Sequence, residues 1–193
     1  MGKAVMAALA VLAWWACLAA QAAPLRLPAG KGPVAQGGSV TAAARGALIR
    51  YRGWLLAVDG AVPEERPDVL LASADAGHAP QLRIGATRRS LPLWSAVELV
   101  KGSTRLRITA LPGPEDMPAL LLDFGDADYR IVIPAAPIER QTYPLLAQRF
   151  PGADLALLPQ DGRRVMLPLG SGRTQVFGEE QAVPYRFAKV RKR

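Results

Sequence analysis

The sequence predicts a strand-rich, layered α/β domain, and three observations carry that expectation. Short apolar runs follow one another along the chain, each closed off by Gly, Pro or Asp. Two pairs of these runs are joined by turn-forming residues, as in β-hairpins. One amphipathic helical stretch leads directly into a further apolar run, the helix-to-strand unit of layered α/β architectures.

Strands are expected over Ala47 to Tyr51, Trp54 to Val58, Val69 to Ala72, Leu82 to Ile84 and Val97 to Val100. Further strands are expected over Arg105 to Leu111, Ala119 to Phe124, Tyr129 to Ile133 and Leu155 to Leu158. Only Arg52-Gly53 separates the first two, which favours a tight hairpin because glycine tolerates positive φ. The runs on either side of Gly125-Asp126-Ala127-Asp128 form a second hairpin pattern. Tyr143, Leu146, Ala147 and Phe150 recur at helical spacing on one face. Thr142 is the expected N-cap, Pro144 falls in the first turn, where proline is tolerated, and Pro151-Gly152 stops the helix.

The chain begins as an exported protein would. Lys3 precedes an apolar run from Ala4 to Ala20, and Ala20-Gln21-Ala22 forms a small-x-small cleavage site, so residues 1–22 are expected to be a signal peptide. The competing reading is an uncleaved anchor, for which the run is borderline, since a spanning helix needs about 20 apolar residues. Cleavage predicts a periplasmic or secreted protein. Residues 23–38, rich in Pro, Gly and Ala and without periodicity, are expected to be a flexible lead-in. A single domain over 39–182 and a basic tail over 183–193 complete the organisation, since about 170 residues supply one core of ordinary size.

Composition narrows the chemistry. Cys17 is the only cysteine and falls in the signal segment, so the remainder has neither disulfides nor thiolate metal ligands. Without Lys3 the chain carries 23 basic against 16 acidic side chains, a net charge of about +7. Part of that excess crowds into Arg186, Lys189, Arg191, Lys192 and Arg193, a tail suited to weak contact with an anionic surface. No basic patch is interleaved with aromatics, which argues against nucleic-acid binding. No other partner is legible.

Several segments, taken in order, resemble a known framework. Leu55-Leu56-Ala57-Val58-Asp59-Gly60 is a hairpin strand ending in aspartate, and Pro67 to Ala72 is an apolar strand running into Ser73-Ala74-Asp75-Ala76-Gly77-His78. Ile108 to Gly113, the hairpin Leu120 to Ile133, and the helix and strand within Arg149 to Leu158 follow in matching order. This series resembles the metallo-β-lactamase fold superfamily. The resemblance implies an αββα-type sandwich, strand-rich and shortened at its C-terminus. It also implies descent from hydrolases that hold two neighbouring cations, usually zinc, through an HxHxDH loop and further ligands.

The motif itself is substituted. Ser73 and Asp75 stand at the two leading histidine positions, Gly77 stands at the aspartate, and only His78 matches; it is the only histidine in the sequence. Pro134-Ala135-Ala136 replaces the segment that carries the family's bridging aspartate. The expectation is therefore a non-catalytic relative with a binding or structural role and no cofactor. The alternative is a metal-dependent hydrolase with one zinc or other divalent cation on Asp75 and His78, joined by Glu115, Asp116 or Asp161 from neighbouring strand ends.

Overall fold

Residues 23–29, 37–73, 79–125, 129–169, 176–177 and 184–187 are described by the computed structural model. Among them the chain forms β1 (Leu25–Leu27), β2 (Gly38–Ala42), β3 (Ala47–Tyr51), β4 (Trp54–Val58), β5 (Val69–Ala72), β6 (Gln81–Ile84) and β7 (Thr87–Ser90). There follow β8 (Ala96–Lys101), β9 (Thr104–Pro112), β10 (Pro118–Phe124), β11 (Tyr129–Pro134), helix α1 (Tyr143–Arg149), β12 (Leu155–Gln160), β13 (Arg163–Pro168) and β14 (Tyr185–Phe187). One sheet runs β1-β8-β9-β10-β11-β12-β13 and the other β14-β2-β3-β4-β5-β6-β7. Both are mixed: β1 with β8, β11 with β12, and β4 with β5 pair parallel, and the remaining neighbours antiparallel.

Side-chain alternation decides what each strand buries. Along β9, Leu106, Ile108 and Ala110 enter the core between the sheets, while Arg105 and Arg107 face outward. The unbroken run of β12 is buried on both faces: Leu155 and Leu157 between the sheets, Ala156 and Leu158 beneath α1. Tyr143 and Leu146 of α1, with Phe150 just beyond it, cover that outer face. The strand-rich layered class is thus present as two mixed sheets, and among the described residues helix α1 lies over the first of them. Thr142 precedes α1 without a side-chain cap: its own backbone is already helical, with φ −94° and ψ −4°, and its hydroxyl donates to the Glu139 carbonyl at 2.8 Å.

Turn chemistry sets the registers. Arg52 and Gly53 have φ of 44° and 81°, the two left-handed positions of a type I′ turn, which brings Tyr51 opposite Trp54. Asp161 and Gly162 do the same at 48° and 77°, placing Gln160 opposite Arg163. The Asp161-Gly162 hairpin with its strand β13, and strand β2, were not expected.

Strand pairing also occurs outside residues 39 to 182. Leu25–Leu27, in the supposed lead-in, pairs in parallel with β8, and Tyr185–Phe187, in the supposed tail, pairs with β2. Three-residue strands are too short to show a period, so only tertiary pairing reveals them. Phe187 stacks between Tyr129 and Tyr51, with ring centroids 4.1 Å and 5.3 Å away, and Tyr51 meets Phe124 edge-on at 4.8 Å. These rings tie the two sheets together. Residues 1–22 and the terminal Lys189, Arg191, Lys192 and Arg193 lie outside the described residues.

Burial raises the Tyr129 phenol well above its ordinary value, with Tyr185, to which it is hydrogen-bonded, and Asp154 adding to the effect. The folded state therefore keeps this proton at a pH where the unfolded chain, with a phenol pKa near 10, releases it. Stability attributable to Tyr129 is full below pH ~10 and declines as pH rises beyond it, by at most about 1.4 kcal/mol per pH unit. Urea unfolding of Tyr129→Phe should show a shallower loss of stability above pH ~10 than the native chain does.

Gly46 supplies a second test. Its φ is 64°, and a Cβ there would lie 1.8 Å from the Val58 carbonyl oxygen, whereas a Cβ on Gly53 would meet nothing within 4 Å. Gly46→Ala is expected to cost about 3 kcal/mol or more, and Gly53→Ala only about 1 kcal/mol, measured by urea unfolding.

Candidate functional site

The parallel pair β4 and β5 ends on the same side of its sheet, and the residues just beyond are Asp59 and Ser73. In the other sheet, register places Pro134 and the β12–β13 turn at one end of their strands. Alternation along β13 sends Arg164 to the same face as Met166, which lies in the core between the sheets. Arg164 therefore points a guanidinium from the first sheet toward the strand ends of the second.

There it is enclosed, with 3% of its surface exposed. Nε donates to Asp59 Oδ2 at 2.6 Å, and Nη2 reaches the same carboxylate and donates to Ser73 Oγ at 2.6 Å. Nη1 donates to the carbonyls of Pro134 and of Leu157, the latter at 3.1 Å. Asp59 in turn accepts from the Ser73 backbone N–H at 2.6 Å and from its hydroxyl at 2.9 Å. Burial lowers the Arg164 pKa from its ordinary value and Asp59 opposes that, but arginine keeps its proton in proteins.

A guanidinium has five N–H donors, and these contacts engage every one of them. The cation is thus held by four protein acceptor atoms, with Asp59 Oδ2 taking two of its donors, and has no donor left for a ligand. Ser73 is equally committed, donating to Asp59 and accepting from Arg164, with no imidazole among the described residues to draw off its proton. The cluster is a clamp across two sheets. Its described residues do not suit a metal ion, because the fixed positive charge 2.6 Å from Ser73 Oγ would repel one and the Asp59 carboxylate is already shared.

Of the residues expected at a site, Ser73 belongs to this clamp. Asp75, Gly77 and His78 lie outside the described residues, as does the loop that would join them. Glu115 and Asp116 are exposed on a 3₁₀ turn with φ of 53° and 56°, and Asp161 is exposed in its hairpin turn. No three His, Cys, Asp or Glu side chains among the described residues are grouped so as to share a metal ion.

Arg164 was missed because arginine in an apolar strand normally marks the solvent face. The available signal was Asp161-Gly162 followed by Arg163-Arg164-Val165-Met166-Leu167, a strong hairpin turn ahead of a strand in which one arginine must face inward. Comparison of the chain with protein-family models, with curated proteins and with solved structures yields no match in any of the three.

Arg164→Ala would leave the Asp59 carboxylate without its counter-ion and the Pro134 and Leu157 carbonyls without the guanidinium donor, and the expected loss is about 3–5 kcal/mol of unfolding free energy. Arg164→Lys should remain strongly destabilised, since an ammonium has three donors and no planar fork. Urea midpoints of the two variants and the native chain check both expectations.

Proposed function

We propose that this chain is an exported, non-catalytic relative of the metallo-β-lactamase fold, in which a buried arginine stands where the ancestral metal site was. The observation that carries this reading is the reach of the Arg164 guanidinium. It contacts Ser73, at the leading position of the substituted motif, and Pro134, at the start of the segment that replaces the bridging aspartate. A single protein cation thus bridges two places from which ligands of metal ions are expected on the resemblance.

Such a replacement has a physical rationale. Strand ends that once converged on divalent cations need a positive charge between them, or their carboxylates and carbonyls are left facing one another unpaired. A guanidinium provides that charge and directional donors, and it cannot acidify a water as a bound metal does. The fold is retained while hydrolysis is lost, which leaves a binding or structural role in the periplasm or outside the cell.

The decisive measurement is metal content. The purified protein, dialysed into metal-free buffer and analysed by plasma mass spectrometry, is expected to hold far less than one transition-metal ion per chain. One zinc per chain that survives dialysis, and disappears in His78→Ala, would overturn the proposal in favour of a single-metal hydrolase.

A further inference from the structure

At the end of the sandwich opposite the Arg164 clamp, the β3–β4 turn, the approach to β5, the β8–β9 turn and β14 enclose an open groove of about 840 Å³. That volume falls in the range of small-molecule sites. Its base is rigid. Trp54 is buried and donates through Nε1 to Thr104 Oγ1 at 2.8 Å, and the Lys101 ammonium lies 5.9 Å from the Trp54 ring centroid.

Charge in the groove is unbalanced. Among the described residues that line it, Arg50, Arg52, Arg66, Arg186 and Lys101 face two carboxylates, Glu65 and Asp68. Asp68 is fully engaged, bonded to Lys101 at 2.7 Å and 2.8 Å and to the Leu55 N–H at 2.9 Å. These groups are largely sheltered, so the pair belongs to the framework. Glu65 meets Arg50 at 3.2 Å with both side chains half or more exposed, a pairing worth little in water and easily exchanged. Arg52, Arg66 and Arg186 have no carboxylate partner among the described residues.

Guanidinium groups around one concavity match the oxygens of a phosphate, which accept paired N–H donors from a planar fork. We infer that this groove binds a multiply charged phosphate-bearing anion, with Arg52, Arg66 and Arg186 as its free donors and Arg50 released from Glu65 to join them. A diphosphate is the smallest species that several of these cations can share. The inference stands apart from the loss of the metal site, because it uses none of the same residues and lies at the other end of the fold.

Inorganic pyrophosphate is the probe, titrated calorimetrically at low ionic strength, where the attraction is least screened. The groove variant is Arg52→Asn with Arg66→Gln, chosen because Asn-Gly suits the type I′ turn that Arg52-Gly53 now makes. Its control is Arg88→Gln with Arg89→Gln on the exposed strand β7, which removes the same charge elsewhere. Saturable binding that weakens about tenfold or more in the groove variant and is unchanged in the control is the expected result. Absence of saturable binding, or equal weakening in both variants, would overturn the inference, since either means only the general attraction of a basic protein for anions. Vesicles containing cardiolipin, whose headgroup carries two phosphodiesters, form the second arm. Vesicle binding lost with pyrophosphate binding in the groove variant identifies a lipid headgroup as the natural phosphate, and vesicle binding kept identifies a free anion.

Discussion

The arrangement of this protein depends on one buried charge. Arg164 lies in a strand of one sheet and is bound by a carboxylate and a hydroxyl at the strand ends of the other, with two carbonyls of its own sheet completing the set. Taking a guanidinium out of water costs several kcal/mol, and only a complete set of partners offsets it. Because those partners come from Asp59, Ser73, Pro134 and Leu157, the cation is satisfied only when both sheets are formed and docked. A buried group of this kind contributes to alignment more than to net stability, since an imperfectly docked sandwich would strand the charge.

The other end of the sandwich is joined by different means. Stacked Phe187, Tyr129 and Tyr51, the Trp54–Thr104 hydrogen bond and the Lys101–Asp68 pair link the sheets there. Gly38 is part of the same device, because a Cβ at that position would lie 2.2 Å from the Phe187 ring. The C-terminal strand β14 thus contributes an edge to one sheet and a ring to the space between both. Between the two ends the core is apolar and non-directional, so the polar and aromatic ties are what define the relative position of the layers.

This division of labour bears on function. The end that holds Asp59 and Ser73 carries a closed clamp whose guanidinium donors are all engaged. At the opposite end, exposed arginines surround an open groove whose carboxylates are already occupied or weakly held. The basic balance of the chain draws anions toward the molecule as a whole.

Nine strand segments and the helix could be read from the sequence, because apolar alternation and turn residues are local properties that the chain carries in any conformation. The Arg52-Gly53 hairpin was legible for the same reason. Strand β7 was not, since Thr87, Arg88, Arg89 and Ser90 are all exposed and hold their conformation only through pairing with β6. Nor were β1 and β14, too short to show a period, β2, whose Gly38-Ser39-Val40-Thr41-Ala42 holds a single large apolar side chain, or β13, whose two leading arginines resemble a solvated segment. Ser73 was singled out as a position in a motif, but its actual partners, 14 and 91 residues away, were not inferable from spacing. The sequence by itself determined the strand-rich character, the principal turns and the scarcity of histidine and cysteine that limits metal chemistry. Only the tertiary structure decided that Arg164 faces inward, because the sign of a charged residue's contribution depends on whether its partners arrive with it, and these arrive from the opposite sheet.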